Sequence, residues 1–328
     1  MKKKWFILLL TLLNVMFLMN CTQPDSQPLS QNAEYELALL PAQSSGLGFL
    51  NIQVIRESPF FNMVEDNLEE NPFYSEDYQE FMNATGLDIR KDITEIYFCL
   101  IPGESKDKPE MFALIKGNYD PQKMTEYILQ KSDDDEVVPV PHGEHTLYQL
   151  DDENIAFCFA DNTRLILGSA DQLRSWLDKS GKRKESKISQ ELQRRIKDVR
   201  YKGEAWVSMD AQGFIESMMQ EMDRHAEEGR FDALRSLQYL NASAKFDEKL
   251  SFHGMSQFSD KEKAKLFHDA LKGFIATAKL SMSQDRKAVD VLNKIHTDLK
   301  GDKIIIDLKM SKEDVERLSK KKEELAIQ

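Results

Sequence analysis

Three cysteines in 328 residues are too few for a disulfide-stapled scaffold, and 14 glycines with 10 prolines are too few for a fibrous or largely disordered chain. Positive charge is also scarce. Lys and Arg number 44 against 56 Asp and Glu, a formal net charge of −12. An acidic chain repels phosphate backbones, which argues against nucleic acid as a partner. It argues equally against adhesion to anionic lipid by net charge alone. Catalytic signatures are missing as well. Neither His-Glu-x-x-His nor Gly-x-Ser-x-Gly occurs. The glycine pair Gly46 and Gly48 has no third member to cradle a phosphate. What remains is an ordinary globular balance, 41% hydrophobic and 30% charged, in a chain long enough for two cores.

The N-terminus is different in kind. Lys2, Lys3 and Lys4 precede an apolar run from Trp5 to Met19, broken only by Thr11 and Asn14. A run of about 15 residues falls short of the roughly 20 that span a bilayer, so a cleaved export signal is expected rather than an anchor helix. The Ala-x-Ala pattern of an ordinary cleavage site is absent. The run ends instead in Leu18-Met19-Asn20-Cys21. This stretch resembles the lipobox of bacterial lipoproteins, with Leu18 and Cys21 in the leucine and cysteine positions; Asn20 stands where that family usually has Gly or Ala. The resemblance implies cleavage before Cys21 and acylation of its thiol and amine by chains such as palmitate. Two or three chains, at about 0.8 kcal/mol per buried CH₂, give stable anchoring where one does not. Losing the three lysines leaves 41 basic against 56 acidic groups, a net charge of −15. The Gln/Ser/Pro-rich stretch after Cys21 reads as a flexible tether to residue 33. By the same resemblance, Thr22 after the cysteine lacks the aspartate of inner-membrane retention, which points to the outer membrane in a Gram-negative envelope.

Periodicity predicts an α+β protein in two similar halves, each a mostly antiparallel sheet with helices on one face. The expected organisation is a signal peptide (1–20), the lipidated cysteine and tether (21–33), a first domain (34–182), a linker helix (183–199) and a second domain (200–328). Each half reads strand, helices, hairpin, helix, strands, capped helix. Asp120-Pro121, Ser169-x-x-Gln172, Ser259-x-x-Glu262 and Ser311-x-x-Asp314 are the expected helix starts. The strand-into-helix passages at 165–173 and 306–315 align with one insertion, which suggests an internal repeat. The segments Leu40-Pro41-Ala42, Gly86-Leu87-Asp88-Ile89 and Asn162-x-Arg164-Leu165-Ile166-Leu167-Gly168-Ser169 resemble uncharacterised bacterial envelope families known only as domains of unknown function. That resemblance implies a duplicated, membrane-anchored, extracytoplasmic protein; it lends no catalytic residue.

Few residues invite chemistry. Cys99 and Cys158 sit in apolar strand-like runs, where cysteine is usually a small buried hydrophobe; they are also a candidate disulfide pair in an oxidising envelope. His142 and His145 are close but lack a placed acidic or thiol partner, so no metal site is expected. Ser105-x-x-Lys108 is a short pattern in a loop. Asp133 to Glu136 lacks the alternation of a calcium loop, and Asp151 to Glu153 reads as a hairpin turn. The apolar stripes Phe60-Phe61-Val64-Leu68 and Phe214-Met218-Met219-Met222 fit a helix core face or a lipophilic groove. The aromatic group Phe73, Tyr74, Tyr78 and Phe81 fits a partner surface or packing on the sheet. No cofactor is expected. The leading functional expectation is a non-enzymatic envelope lipoprotein with a binding or scaffolding role. It would be attached to the membrane through Cys21 and would have an envelope protein as partner. A carrier of an apolar ligand and a hydrolase with dispersed residues are the alternatives.

Overall fold

A computed structural model describes residues 29–41, 44–61, 75–101, 110–132, 137–150, 155–180, 190–212, 215 and 232–317. Its frame is one twelve-stranded sheet in which every pairing is antiparallel. The strands are β1 (Gly46–Asn51), β2 (Ile93–Ile101), β3 (Glu110–Gly117), β4 (Val137–His142), β5 (His145–Leu150) and β6 (Ile155–Asp161), followed by β7 (Arg164–Gly168), β8 (Ala205–Asp210), β9 (Leu237–Phe246), β10 (Leu250–Phe258), β11 (His296–Lys300) and β12 (Lys303–Met310). The order across the sheet is β11-β12-β10-β9-β8-β1-β2-β3-β7-β6-β5-β4. The two halves meet at β1 and β8, where Leu47 faces Ser208 and Phe49 faces Trp206. Outward from that junction the neighbours run β1-β2-β3-β7-β6 on one side and β8-β9-β10-β12-β11 on the other. The halves therefore share a five-strand order, and the β4–β5 hairpin extends only the first. Pro139 and Pro141 lie in edge strand β4, where a residue without an N–H disturbs no ladder.

The helices are α1 (Gln31–Leu39), α2 (Ile52–Glu57), α3 (Glu76–Thr85), α4 (Ile89–Asp92), α5 (Pro121–Lys131), α6 (Ala170–Ser180), α7 (Gln190–Lys197), α8 (Asp232–Arg235), α9 (Lys261–Ser281) and α10 (Arg286–Asn293). They cover both faces of the sheet, not one as expected. Period-two alternation makes this unavoidable, because strands such as β2 carry apolar side chains on both sides. Tyr97, Cys99, Leu114, Cys158 and Ile166 point to one face and pack with Leu37 of α1, Leu173 and Trp176 of α6, and Ile196 of α7. Ile96, Ile115, Phe159 and Leu165 point to the other and pack with Phe81 of α3 and Met124 of α5. On that second face of the second half, Phe258, Ile304 and Ile306 meet Ala264, Phe267 and Leu271 of α9. Trp206 belongs to the first half's cluster although its strand opens the second, so packing as well as hydrogen bonding crosses the junction.

The local signals hold with two shifts. Asp120 caps α5 with Pro121 behind it, and Ser169 and Gln172 exchange the two bonds of a capping box (3.5 and 3.0 Å). Ser311 and Asp314 do the same (2.8 and 3.4 Å). The cap of α9 is Asp260, one residue after the expected Ser259; its carboxylate takes the N–H groups of both Glu262 and Lys263. The second shift is α1, which begins inside the stretch expected to be tether. Ser30 accepts from the Ala33 N–H, and Leu37 and Leu39 are buried, so Gln31–Ala33 belongs to the folded body. Among the described residues no helix is long and apolar enough to cross a membrane.

Candidate functional site

Two features of the described residues are unlike ordinary core and surface. The first is a charged row on the α1/α6 face. The ladder sets Glu95 opposite Lys116, Lys116 opposite Arg164, and Arg164 opposite Asp161, so four neighbouring strands carry charges in the order acid, base, base, acid. Lys116 Nζ reaches Glu95 at 2.8 Å, and the buried Tyr97 hydroxyl donates to the same carboxylate at 3.0 Å. Arg164 grips Asp161 through two nitrogens (2.6 and 2.8 Å) while its guanidinium lies 5.5 Å over the Trp176 ring. Burial alone would raise Asp161, but hydrogen bonds from Thr163 and Arg164 bring it below the usual carboxylate range. Glu36, 4% exposed, comes down from α1 toward this row. Burial pushes its carboxyl above the usual range, although Arg164 and Lys116 favour the charged form. Among the described residues its Oε2 has no hydrogen-bond donor. Each of Glu95 and Asp161 already has its own cation, so the row is a self-neutralised lock beneath α1 rather than a set of free acids and bases.

The second feature is a surface. α9 is 21 residues long and packs on the sheet through Ala264, Phe267 and Leu271. Its opposite side carries Leu266, Phe274 and Leu280, which are 61%, 73% and 74% exposed. Singly exposed hydrophobes are common, but three large ones on one side of one helix form a patch of the kind that marks an interface.

The buried His253 is held by a charge partner in the sheet. His253 Nδ1 lies 2.9 Å from Asp307, which also takes Arg200 at 2.8 Å. Ser243 faces His253 across β9 and β10, but its hydroxyl goes to the His253 backbone carbonyl (3.4 Å) and not to the imidazole. The serine is therefore not placed as a nucleophile activated by that ring.

The residues singled out from sequence are dispersed. Cys21 lies outside the described residues, as do Ser105–Lys108, Asp133–Glu136, Asp151–Glu153, Val64, Leu68, Phe73, Tyr74, Phe214, Met218, Met219 and Met222. Cys99 and Cys158 are free, which corrects the disulfide expectation. They lie in β2 and β6 with β3 and β7 between them, roughly 14 Å apart at strand spacing, far beyond the reach of an S–S bond. Burial pushes their thiols up, to about 12 and about 11. His142 and His145 face each other across the β4–β5 turn, and His142 Nε2 approaches Asp178 of α6 at 3.1 Å. Among the described residues no three His, Cys, Asp or Glu side chains converge as a metal site would require. Tyr78 packs near Phe81 and donates to Asp88 (2.9 Å), and Phe81 meets Tyr127 of α5 edge to face, so these rings are packing. Phe60 is buried. Sequence reasoning missed Glu36, Glu95, Lys116 and Arg164. The readable signal was Glu95 sharing the period-two register of Tyr97, Cys99 and Ile101, an acid on a core face.

The fold is α+β on a single antiparallel sheet. No family model matches the chain, and neither does any curated protein. Among solved structures, crystal form IV of TP0453 is similar at 12% identity and a TM-score of 0.48, over 87% of this chain and 94% of that one. Crystal form I of TP0453 is similar at 10% identity and a TM-score of 0.44, over 87% and 96%.

Proposed function

We propose that this protein is a lipid-anchored extracytoplasmic lipoprotein of the cell envelope that works by binding another protein, not by turning over a substrate. The observation that carries the binding reading is the exposed apolar side of α9, with Leu266, Phe274 and Leu280 held out on a capped, sheet-packed helix. The lipobox-like end of the export signal at Leu18–Cys21 and the polar stretch behind it support the anchor. The carrier alternative wants an apolar space between sheet and helices; on the α1/α6 face that region is filled by Leu37, Phe112, Leu173 and Trp176.

Intact mass and membrane partitioning of the wild-type chain and Cys21→Ser test the anchor. The expected wild-type product begins at an acylated Cys21 and pellets with membranes, while Cys21→Ser stays soluble or uncleaved. A wild-type chain that keeps residues 1–20, or that is soluble without acyl chains, would sink the lipoprotein reading.

A further inference from the structure

The sheet has two edges, and they are finished differently. β4 closes one and β11 the other. Each strand ends in a two-residue turn, at Gly143-Glu144 and Gly301-Asp302, with His142 opposite His145 and Lys300 opposite Lys303. Such a turn closes on a hydrogen-bonded pair, and every second residue back along the strand then turns its N–H and C=O away from the neighbour. In β4 those outward positions are Pro139 and Pro141, which offer no donor, so a further strand is refused there. In β11 they are Thr297 and Leu299, and both keep their N–H. Among the described residues no strand pairs with that side of β11.

The first half shows what such an edge accepts. β6 flanks β7 as β11 flanks β12, and the outer side of β6 is covered by β5, antiparallel, with Tyr148 opposite Phe157. The edge of β11 also has a sign. His296, Asp298 and Lys300 stand exposed on one face, and Asp298 lies 3.5 Å from Lys300. On the other face α9 comes down to the edge. His268 Nε2 lies 3.1 Å from Thr297 Oγ1, and Lys261 Cε lies 4.0 Å from where a Cβ on Gly301 would be. Lys261, Lys265 and Lys272 share that flank with His268, in steps of four, three and four, and all three lysines are exposed. In a chain of net charge −12 this is a basic margin.

We propose that β11 takes an extended acidic segment of a partner protein as a further strand, antiparallel, in the place that β5 holds in the first half. The proposal rests on the protein-binding reading above and names the segment that the partner offers. Main-chain bonds to Thr297 and Leu299 give the hold, and side chains give the choice. Acids opposite His296 and Lys300, with a neutral residue opposite Asp298, complement the exposed face of β11, and the lysines of α9 favour the same sign. A second copy of this chain fits badly. Full overlap of two antiparallel β11 strands sets Asp298 against Asp298 and brings the two lysine flanks together.

The test uses the full chain in detergent micelles and a synthetic peptide, acetyl-Ser-Glu-Val-Thr-Tyr-Glu-Ser-amide, whose Tyr copies Tyr148. Amide hydrogen exchange is read residue by residue. At saturating peptide the Thr297 and Leu299 amides should slow roughly tenfold or more, while those of Asp298 and Lys300, already turned to β12, should not change. The same peptide N-methylated at Val and Tyr keeps every side chain but loses the two donors aimed at β11; it should bind roughly tenfold more weakly. A peptide with Lys in place of both Glu should bind more weakly as well. No binding up to millimolar peptide, unchanged Thr297 and Leu299 amides, or equal binding of either altered peptide would overturn the proposal. So would protection of these amides without peptide that rises with protein concentration, which would make a second copy the occupant. Membrane pelleting of the same chain separates the two readings. A pelleted chain with unprotected β11 amides keeps the lipoprotein and removes the added strand; a protected edge in a chain that does not pellet does the opposite.

Discussion

α5 and α9 occupy the same slot in the two halves. Each follows the third strand of its five-strand unit, and each lies on the same face of the sheet. They are used differently. α5 has 11 residues, sets Met124 into the core and leaves Leu129 as its one large hydrophobe in the open; Tyr127 on its flank is met by Phe81 of α3. α9 is almost twice as long and carries an apolar stripe on each side. A position in a sheet architecture thus requires one apolar seam and no more. A second seam answers to something beyond the fold, and its presence in only one half separates the half that presents a surface from the half that is closed by its own helices.

The comparison can be broken most severely at Trp176. This side chain is 1% exposed and packs from α6 onto the first half's sheet, with the Arg164 guanidinium of β7 over its ring. Trp176→Ala should cost about 3–5 kcal/mol in chemical denaturation. Because β1 and β8 are paired and Trp206 packs into the first half's cluster, the loss should appear as one shifted transition; an unshifted second-half transition would mean that the halves unfold independently. A smaller effect is expected at the junction itself. Gly48 faces Val207 of β8 and Phe98 of β2, and an added Cβ would fall 2.0 Å from the Phe98 ring. Gly48→Ala should cost about 1–3 kcal/mol by overpacking, again in both halves at once. A neutral result would show that Phe98 can swing aside.

The smallest effect is a pH slope. Glu36 holds its proton to higher pH in the folded chain than in the unfolded one, since burial raises its carboxyl above the ordinary value. Its contribution is whole below the ordinary carboxylate range and is lost as pH rises through the raised value. Glu36→Gln removes that loss. The variant should therefore gain stability relative to wild type between pH 4 and pH 8, read as the difference of two denaturation series. A constant difference across that range would show that Glu36 stays charged beside Arg164 and Lys116.

Much of the fold was legible in the residues. The Asp120-Pro121 start, the Ser169/Gln172 and Ser311/Asp314 boxes and the alternation of β2 depend on neighbours within a few positions, so local chemistry specifies them. The repeated order of elements was readable for the same reason. The helix over Gln31–Leu39 was not, because its polar composition hides the burial of Ala33, Leu37 and Leu39; those contacts come from strands far along the chain. Whether Cys99 and Cys158 could pair was not legible either, since strand order decides their distance and composition does not.

The sequence by itself determined the acidic character, the α+β class and most helix starts, since each follows from composition or short-range spacing. Only the tertiary structure decided that two halves share one sheet, that helices cover both of its faces, that Glu36 is carried over the Glu95–Lys116–Arg164–Asp161 row, and that Leu266, Phe274 and Leu280 stay uncovered. Those are outcomes of strand order and register. They join residues more than a hundred positions apart, and no local preference reaches that far.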